Sequence, residues 1–336
     1  MTVYQEIRSL VQESSSIVIT SHRSPDGDSI GSSMGLFHVL RAMGKQVVVC
    51  HPDPTPSYLQ WVPEVSEIID YDTHTSEVTR LIASSDLIFC LDYNEPSRLG
   101  EAMGAVLVQS ESKKIMIDHH LNPADFTTVT LSETTSCSTC QLIFDVVEGA
   151  DWTSFFSKEA ATALYLGIMT DTGSFRFPSV QPRTHEIISK LLQHDIRHSL
   201  IHEAINDVNT LDRLRLKGYA CSDKLVVNEE DKYAYITLTK EELHRFNYQK
   251  GDTEGLVNTA LSIVGMRLAL LFQEHDDYVK ISFRSKGSEN AVNVMAATYF
   301  HGGGHANASG GKYNGTIDAA VKEFQRVFPE FFSIVD

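Results

Sequence analysis

The stretch SHRSPDGDSIGSS, residues 21–33, sets His22, Asp26 and Asp28 directly after the apolar run SIVITS. Further along, Asp92 closes DLIFCLD (86–92), Asp118, His119 and His120 close KKIMIDHH (113–120), and Asp171 stands inside LGIMTDTGSFRF (166–177). Carboxylates and imidazoles together are the donor set of divalent transition-metal sites rather than of all-oxygen calcium sites. Brought together unpaired, Asp26, Asp28, Asp92 and Asp171 would repel one another, whereas two divalent cations would balance their four negative charges. Each segment has a blander use when taken singly. PDGD is good turn chemistry, Asp92 suits a helix cap, and Asp171 suits the cap of a following turn. An EF-hand starting at Asp26 fails, because Ile30 and Phe37 would occupy its fifth and twelfth positions. Two adjacent histidines behind an apolar strand are harder to assign to packing. The joint occurrence points to a metal centre.

The elements that must position these residues follow from the patterning. Apolar runs at 16–21, 46–50, 86–92 and 113–118 read as strands, and SIGSSMGLFHVLRAMG (29–44) reads as a helix ended by Gly44. Continuous apolar strands separated by helices imply α/β architecture, a parallel sheet with helices on both faces. Ligands of such a sheet sit beyond the carboxyl ends of its strands, where the acids and histidines above are found. Helical periodicity continues at 136–148, 157–170, 182–194 and 198–206. The second half predicts a smaller α/β domain. It contains a hairpin (224–228 and 233–238), a helix from Thr239 with Glu242 as capping partner, and strands at 264–272 and 278–285 around QEHDD. A helix at 290–300, a glycine-rich loop and a helix at 316–328 complete it. The domains are expected at 1–195 and 216–336, with a helical linker over 196–215.

Bulk properties narrow the function. The chain has 336 residues, 42% hydrophobic and 21% charged, enough for two cores. Its formal charge of -16 argues against a long nucleic-acid groove, which needs many Lys and Arg contacts to phosphate. A small anionic substrate remains compatible with it when metals or a few cations hold the anion. No apolar run reaches bilayer length and the charged N-terminal segment resembles no leader, so no membrane association and a cytoplasmic location are expected. The cysteines (Cys50, Cys90, Cys137, Cys140 and Cys221) are too scattered for a disulfide framework. Cys137-x-x-Cys140 lacks a second pair and reads as helix-start packing. The hydroxyl-rich SETTSCSTC around it either caps that helix or touches a phosphate.

A second anchor is expected at the C-terminal end. Gly302, Gly303 and Gly304 alone read as a flexible hairpin or linker, but they also permit close backbone approach, and with His305 and Arg284 nearby their N–H groups at a helix start would suit an anion. His305 follows directly. Arg284 offers a planar fork for phosphate oxygens and Lys286 adds charge. A metal centre on one wall of an interdomain cleft and this basic clamp on the other would favour short substrates.

His22-x-x-x-Asp26-x-Asp28, Asp92, Asp118-His119-His120 and Asp171 resemble, in order, the motifs of the DHH phosphoesterase superfamily. FRSKG (283–287) and GGGHANASG (302–310) resemble its DHH-associated substrate domain, the pairing found in RecJ exonucleases and nano-RNases rather than in family II pyrophosphatases. The resemblance implies two divalent ions, manganese first among them. One would be held by His22, Asp26 and Asp92, the other by Asp28, Asp92, His119 and Asp171, with Asp92 bridging. A water between them would attack phosphorus in line. Asp118 would orient the histidine pair, and His120 would position the phosphate or assist the leaving oxygen. The implied reaction is hydrolysis of short oligoribonucleotides and of 3′-phosphoadenosine 5′-phosphate. Alternatives are a cyclic di-adenylate or pApA phosphodiesterase, an exopolyphosphatase or pyrophosphatase, and a non-catalytic nucleotide-binding regulator on the same scaffold. Family members are commonly homodimers, a property that nothing in the sequence itself specifies.

Overall fold

The computed structural model describes residues 2–332, which form two compact units meeting in the sequence at Val208 and Asn209. In the first unit, strands β1 (Ser16–Thr20), β2 (Gln46–His51), β3 (Ile69–Asp70), β4 (Leu87–Leu91), β5 (Lys113–Asp118) and β6 (Val129–Ser132) make one sheet. Its order is β3-β2-β1-β4-β5-β6 and every pairing is parallel. The helices are α1 (Val3–Glu13), α2 (Gly27–Ala42), α3 (Tyr71–Ser84), α4 (Glu101–Gln109), α5 (Thr139–Gly149), α6 (Lys158–Asp171), α7 (Pro182–Leu192) and α8 (His198–Asn206).

Both faces of this sheet are buried, which is why its central strands read as unbroken apolar runs. Ile17, Ile19, Phe89, Ile115 and Ile117 face a core shared with α2, α5 and α6. The alternate residues Val18, Ile88, Cys90 and Met116 face a second core with Val78, Ile82, Met103 and Leu107 of α3 and α4. Chain progress reverses direction between β1 and β4, the place where open parallel sheets leave a crevice. Helix α2 is buried from Gly27 to Leu40, all the way round. It lies close to α6: a Cβ on Gly167 would stand 2.1 Å from Cys140 Sγ and 2.8 Å from Asp28 Oδ1, so only glycine admits this approach.

The second unit comprises α9 (Leu211–Asp223), β7 (Leu225–Asn228), β8 (Tyr233–Leu238), α10 (Lys240–Arg245), α11 (Leu256–Leu261), β9 (Leu268–Glu274), β10 (Val279–Ser285), α12 (Asn293–Tyr299), β11 (Gly303–His305), β12 (Ala308–Tyr313) and α13 (Ile317–Phe331). Its sheet runs β11-β12-β10-β9-β8-β7, parallel only between β8 and β9. Leu268, Leu270 and Phe272 pack against α12 and α13, and Ala269 and Leu271 pack against α9 and α11. Thr239 caps α10 in a reciprocal box with Glu242.

The structure differs from the sequence expectations in three places. Residues 264–267 are not strand: α11 ends in a turn that leaves Val264 95% exposed, and pairing begins at Leu268. The residues 196–215 read as a linker are divided between the units, with Ile201 of α8 in the first core and α9 burying Leu216 and Ala220 in the second. The glycines at 302–304 do not open a helix but enter the β11–β12 hairpin, where Gly303 pairs with Gly310 and Gly304 with Ser309.

Candidate metal centre

The loop between β1 and α2 carries the first donors. Asp26 is the N-cap of α2, its Oδ1 accepting from Asp28 N–H at 3.1 Å and Ser29 N–H at 3.0 Å. His22 donates from Nδ1 to the Arg23 carbonyl at 2.7 Å. A carbonyl can only accept, so Nδ1 holds a proton, and in the neutral ring it is Nε2 that presents a lone pair. That Nε2 lies 3.3 Å from Asp92 Oδ2 and 3.9 Å from Asp26 Oδ1. The same loop is tied to Asp53, which accepts from Arg23 Nε at 2.9 Å and from Ser24 N–H.

Asp92 follows β4 in the left-handed conformation, φ 63°, with its N–H on the Ile117 carbonyl and its side chain buried. Such a backbone is uncommon outside glycine and costs free energy that surrounding structure must offset. Asp28, in the first turn of α2, is gripped by the start of α5: Thr139 N–H reaches Oδ2 at 2.7 Å and Cys140 N–H reaches Oδ1 at 2.9 Å. His119 turns Nδ1 to the Ser136 carbonyl at 3.3 Å. Its Nε2 stands 3.4 Å from Asp171 Oδ2, 3.6 Å from Asp92 Oδ1 and 3.8 Å from Asp28 Oδ2. His120 donates from Nδ1 to Asp118 Oδ1 at 2.7 Å. Asp118 was expected to orient both histidines, yet it is the Ser136 carbonyl that receives the His119 Nδ1–H.

The donor atoms form three overlapping groups, each mutually within 4.8 Å: His22, Asp26 and Asp92; Asp28, His119 and Asp171; and Asp92, His119 and His120. The imidazole–carboxylate separations of 3.3–3.9 Å within the first two groups are longer than the usual N–H···O distance of about 2.7–3.2 Å. Donors each about 2.0–2.2 Å from a common ion stand about 3–4 Å apart, so the spacing fits a cation between them. The electrostatics agree. Burial, with the facing carboxylates of Asp92 and Asp171, pushes Asp28 well above the usual carboxylate range, and burial with Asp92 and Asp26 does the same to Asp171. Burial opposes charge on His22, but the Asp92 carboxylate outweighs it and pushes the imidazole up to about 9. Asp92 is held low by His22 against the effect of its own burial. Carboxylates buried this close together favour positive charge between them.

Thr139, Ser136 and Asp53 were not singled out from the sequence. Thr139 lies in the hydroxyl-rich stretch that left capping and phosphate contact open, and the structure places it against carboxylates: its hydroxyl donates to Asp92 Oδ1 at 2.9 Å. Cys137 and Cys140 are buried free thiols at the start of α5. On the second unit, Arg284 of β10 is partly buried, and its Nη1 donates to the Phe283 carbonyl at 2.9 Å. Lys286 is exposed beyond the strand end, and His305 lies on exposed β11. Gly302 is demanded by packing, since a Cβ there would stand 1.9 Å from the Gly310 carbonyl oxygen. Gly303 has open space around it.

The family model for the N-terminal domain of the DHH family matches residues 16–168, and that for the DHHA1 domain matches residues 230–333. A crystal structure of an exopolyphosphatase-related protein from Bacteroides fragilis is 40% identical, with a TM-score of 0.95 over 98% of this chain and 96% of that one. The chain belongs to the DHH phosphoesterase family. Among curated relatives, this DHH protein is 29% identical to the bifunctional oligoribonuclease and PAP phosphatase NrnA of Thermus thermophilus, over 89% of this chain and 84% of that protein. It is 27% identical to the cyclic-di-AMP phosphodiesterase GdpP of Bacillus subtilis over 97% of this chain, which spans 49% of GdpP. No helix among the described residues of this DHH chain is long and apolar enough to cross a membrane.

Proposed function

We propose that this DHH protein is a manganese-dependent phosphohydrolase that cleaves short oligoribonucleotides and removes phosphate from 3′-phosphoadenosine 5′-phosphate. The observation that carries the proposal is the position of Asp92 between two donor sets, His22 with Asp26 on one side and His119 with Asp28 and Asp171 on the other. His22, Asp26 and Asp92 would hold one cation; Asp28, Asp92, His119 and Asp171 would hold the other. Mixed imidazole and carboxylate donors suit manganese better than calcium or magnesium. Such a pair of ions supplies Lewis acidity and an activated water to phosphoester hydrolysis.

The protein's own residues supply the rest. The carbonyls of Arg23 and Ser136 fix the tautomers of His22 and His119, so both present Nε2 to the centre. Asp118, fully buried, holds the His120 ring through Nδ1, and Nε2 becomes the nitrogen that meets the reacting phosphate. Arg284 takes a substrate phosphate. Its guanidinium is partly buried, among the described residues no carboxylate forms an ion pair with it, and burial pulls it below the usual arginine range. A phosphate would satisfy both the charge and the fork. Lys286, Gly303 and His305 lie on the same unit as secondary contacts. The free cysteines fit a cytoplasmic setting.

Similarity to GdpP over nearly the whole chain favours one second reading, hydrolysis of cyclic di-adenylate or pApA. A single panel separates the two: dinucleotide and trinucleotide RNA, 3′-phosphoadenosine 5′-phosphate, pApA and cyclic di-adenylate, each with manganese and with the Asp92→Ala variant as control. Mononucleotide release from RNA and adenosine monophosphate from 3′-phosphoadenosine 5′-phosphate, both lost in Asp92→Ala, is the expected result. Turnover of cyclic di-adenylate alone would select the second reading, and tight nucleotide binding without turnover would replace both with a binding role.

A further inference from the structure

We infer that Thr139 is a positioning residue that locks Asp28 and Asp92 into one fixed arrangement, an inference that rests on reading this cluster as a metal centre. Thr139 is fully buried and contacts both carboxylates with different groups. Its backbone N–H donates to Asp28 Oδ2 at 2.7 Å, and its hydroxyl donates to Asp92 Oδ1 at 2.9 Å. The two aspartates come from separate elements, the first turn of α2 and the end of β4. Thr139 therefore sets their relative position from a third element, the start of α5.

The local chemistry leaves this hydroxyl available for the task. At a helix start the usual employment of a hydroxyl is to cap the backbone, but here Ser138 does that, accepting from Gln141 N–H at 3.1 Å. The Thr139 proton goes to a carboxylate, which can only accept. It occupies one lone pair of Asp92 Oδ1 and leaves the other toward His119 Nε2, 3.6 Å away. Oδ2 of the same carboxylate remains directed at His22 Nε2, 3.3 Å away. Without the hydroxyl, rotation of the Asp92 carboxyl group would alter its approach to both donor sets at once. The backbone contact to Asp28 survives any side-chain change, so the hydroxyl can be tested separately.

The experiment compares wild type, Thr139→Val, which keeps the shape without the hydroxyl, and Thr139→Ser, which keeps the hydroxyl. Manganese binding to chelator-treated protein is measured by titration calorimetry, alongside thermal unfolding of the metal-free proteins and steady-state kinetics. Thr139→Val is expected to bind manganese about 10- to 100-fold more weakly, as for other losses of a ligand's hydrogen-bonding partner. Its kcat should fall while KM holds, and Thr139→Ser should restore both binding and rate. Thr139→Ala makes the same comparison if the valine variant does not fold. A folded hydroxyl-free variant with wild-type manganese affinity overturns the inference and leaves the metal centre standing. Wild-type protein that takes up no manganese overturns the metal-centre reading itself, and the inference with it.

Discussion

Asp118 accepts two hydrogen bonds from the residue two places after it, one from His120 Nδ1 at 2.7 Å and one from His120 N–H at 3.1 Å. A single fully buried carboxylate therefore fixes both the ring and the backbone of His120. This ties the end of β5 to the direction in which the imidazole points. The charge of Asp118 also favours the tautomer with the proton on Nδ1.

Replacing that carboxylate by a carboxamide is expected to misorient His120 without removing a metal ligand. Asp118→Asn should lower kcat by about 10- to 100-fold, the usual loss when a supporting carboxylate is removed from a histidine. Manganese stoichiometry should stay at the wild-type value. Parallel measurement of kinetics and bound metal checks this, and loss of manganese together with rate would instead make Asp118 part of the ligand cage.

Arg284 is expected to act on substrate alone. Arg284→Ala should raise KM for a phosphate-bearing substrate about 10- to 100-fold, matching the loss of a charge-assisted hydrogen bond of about 1.5–3 kcal/mol. Arg284→Lys should recover little, since an ammonium lacks the planar fork. Manganese affinity should be unchanged in both. Unaltered kinetics in Arg284→Ala would remove the residue from the substrate site.

His51, at the end of β2, gives a pH-dependent signature. It is fully buried, its Nε2 lies 3.0 Å from Ser33 Oγ and its Nδ1 has no hydrogen-bond partner. Burial, helped by nearby His22, pulls the imidazole down to about 3 from an ordinary value of 6.5. The fold therefore holds His51 neutral. Its contribution is fully present above pH 6.5 and is lost as the pH falls from there toward 3, because only the unfolded chain takes up the proton. At about pH 5 the loss amounts to about 2 kcal/mol from this one group. Urea unfolding of metal-free protein should show wild type losing that much more than His51→Gln between neutral pH and pH 5. Equal pH slopes in the two proteins would contradict it.

Much of the catalytic unit could be read from residue order. Strands β1, β4 and β5 are buried on both faces, so their apolar runs were visible, and the aspartates closing β4 and β5 stood out against them. Short β3 and β6 were not visible, the first being two residues long and the second a half-polar VTLS. The glycines at 302–304 were ambiguous because glycine serves a helix-start anion site and a tight hairpin equally. What resolved them was the Gly310 carbonyl packed against Gly302, a contact made across the sheet. The role of Thr139 was hidden for the same reason. Nothing in SETTSCSTC announces that its partners lie at residues 28 and 92, brought to it only by the packing of α2 and β4 against α5.

The most direct test is anomalous diffraction at the manganese edge from crystals of the chelated protein soaked in manganese. The expected map shows two peaks, one beside His22 and Asp26 and one beside Asp28, His119 and Asp171, with the Asp92 carboxylate touching both, and both weaken in Asp92→Asn. A map with no peak among these side chains, or with peaks indifferent to Asp92, would contradict the assignment of this cluster as the catalytic centre.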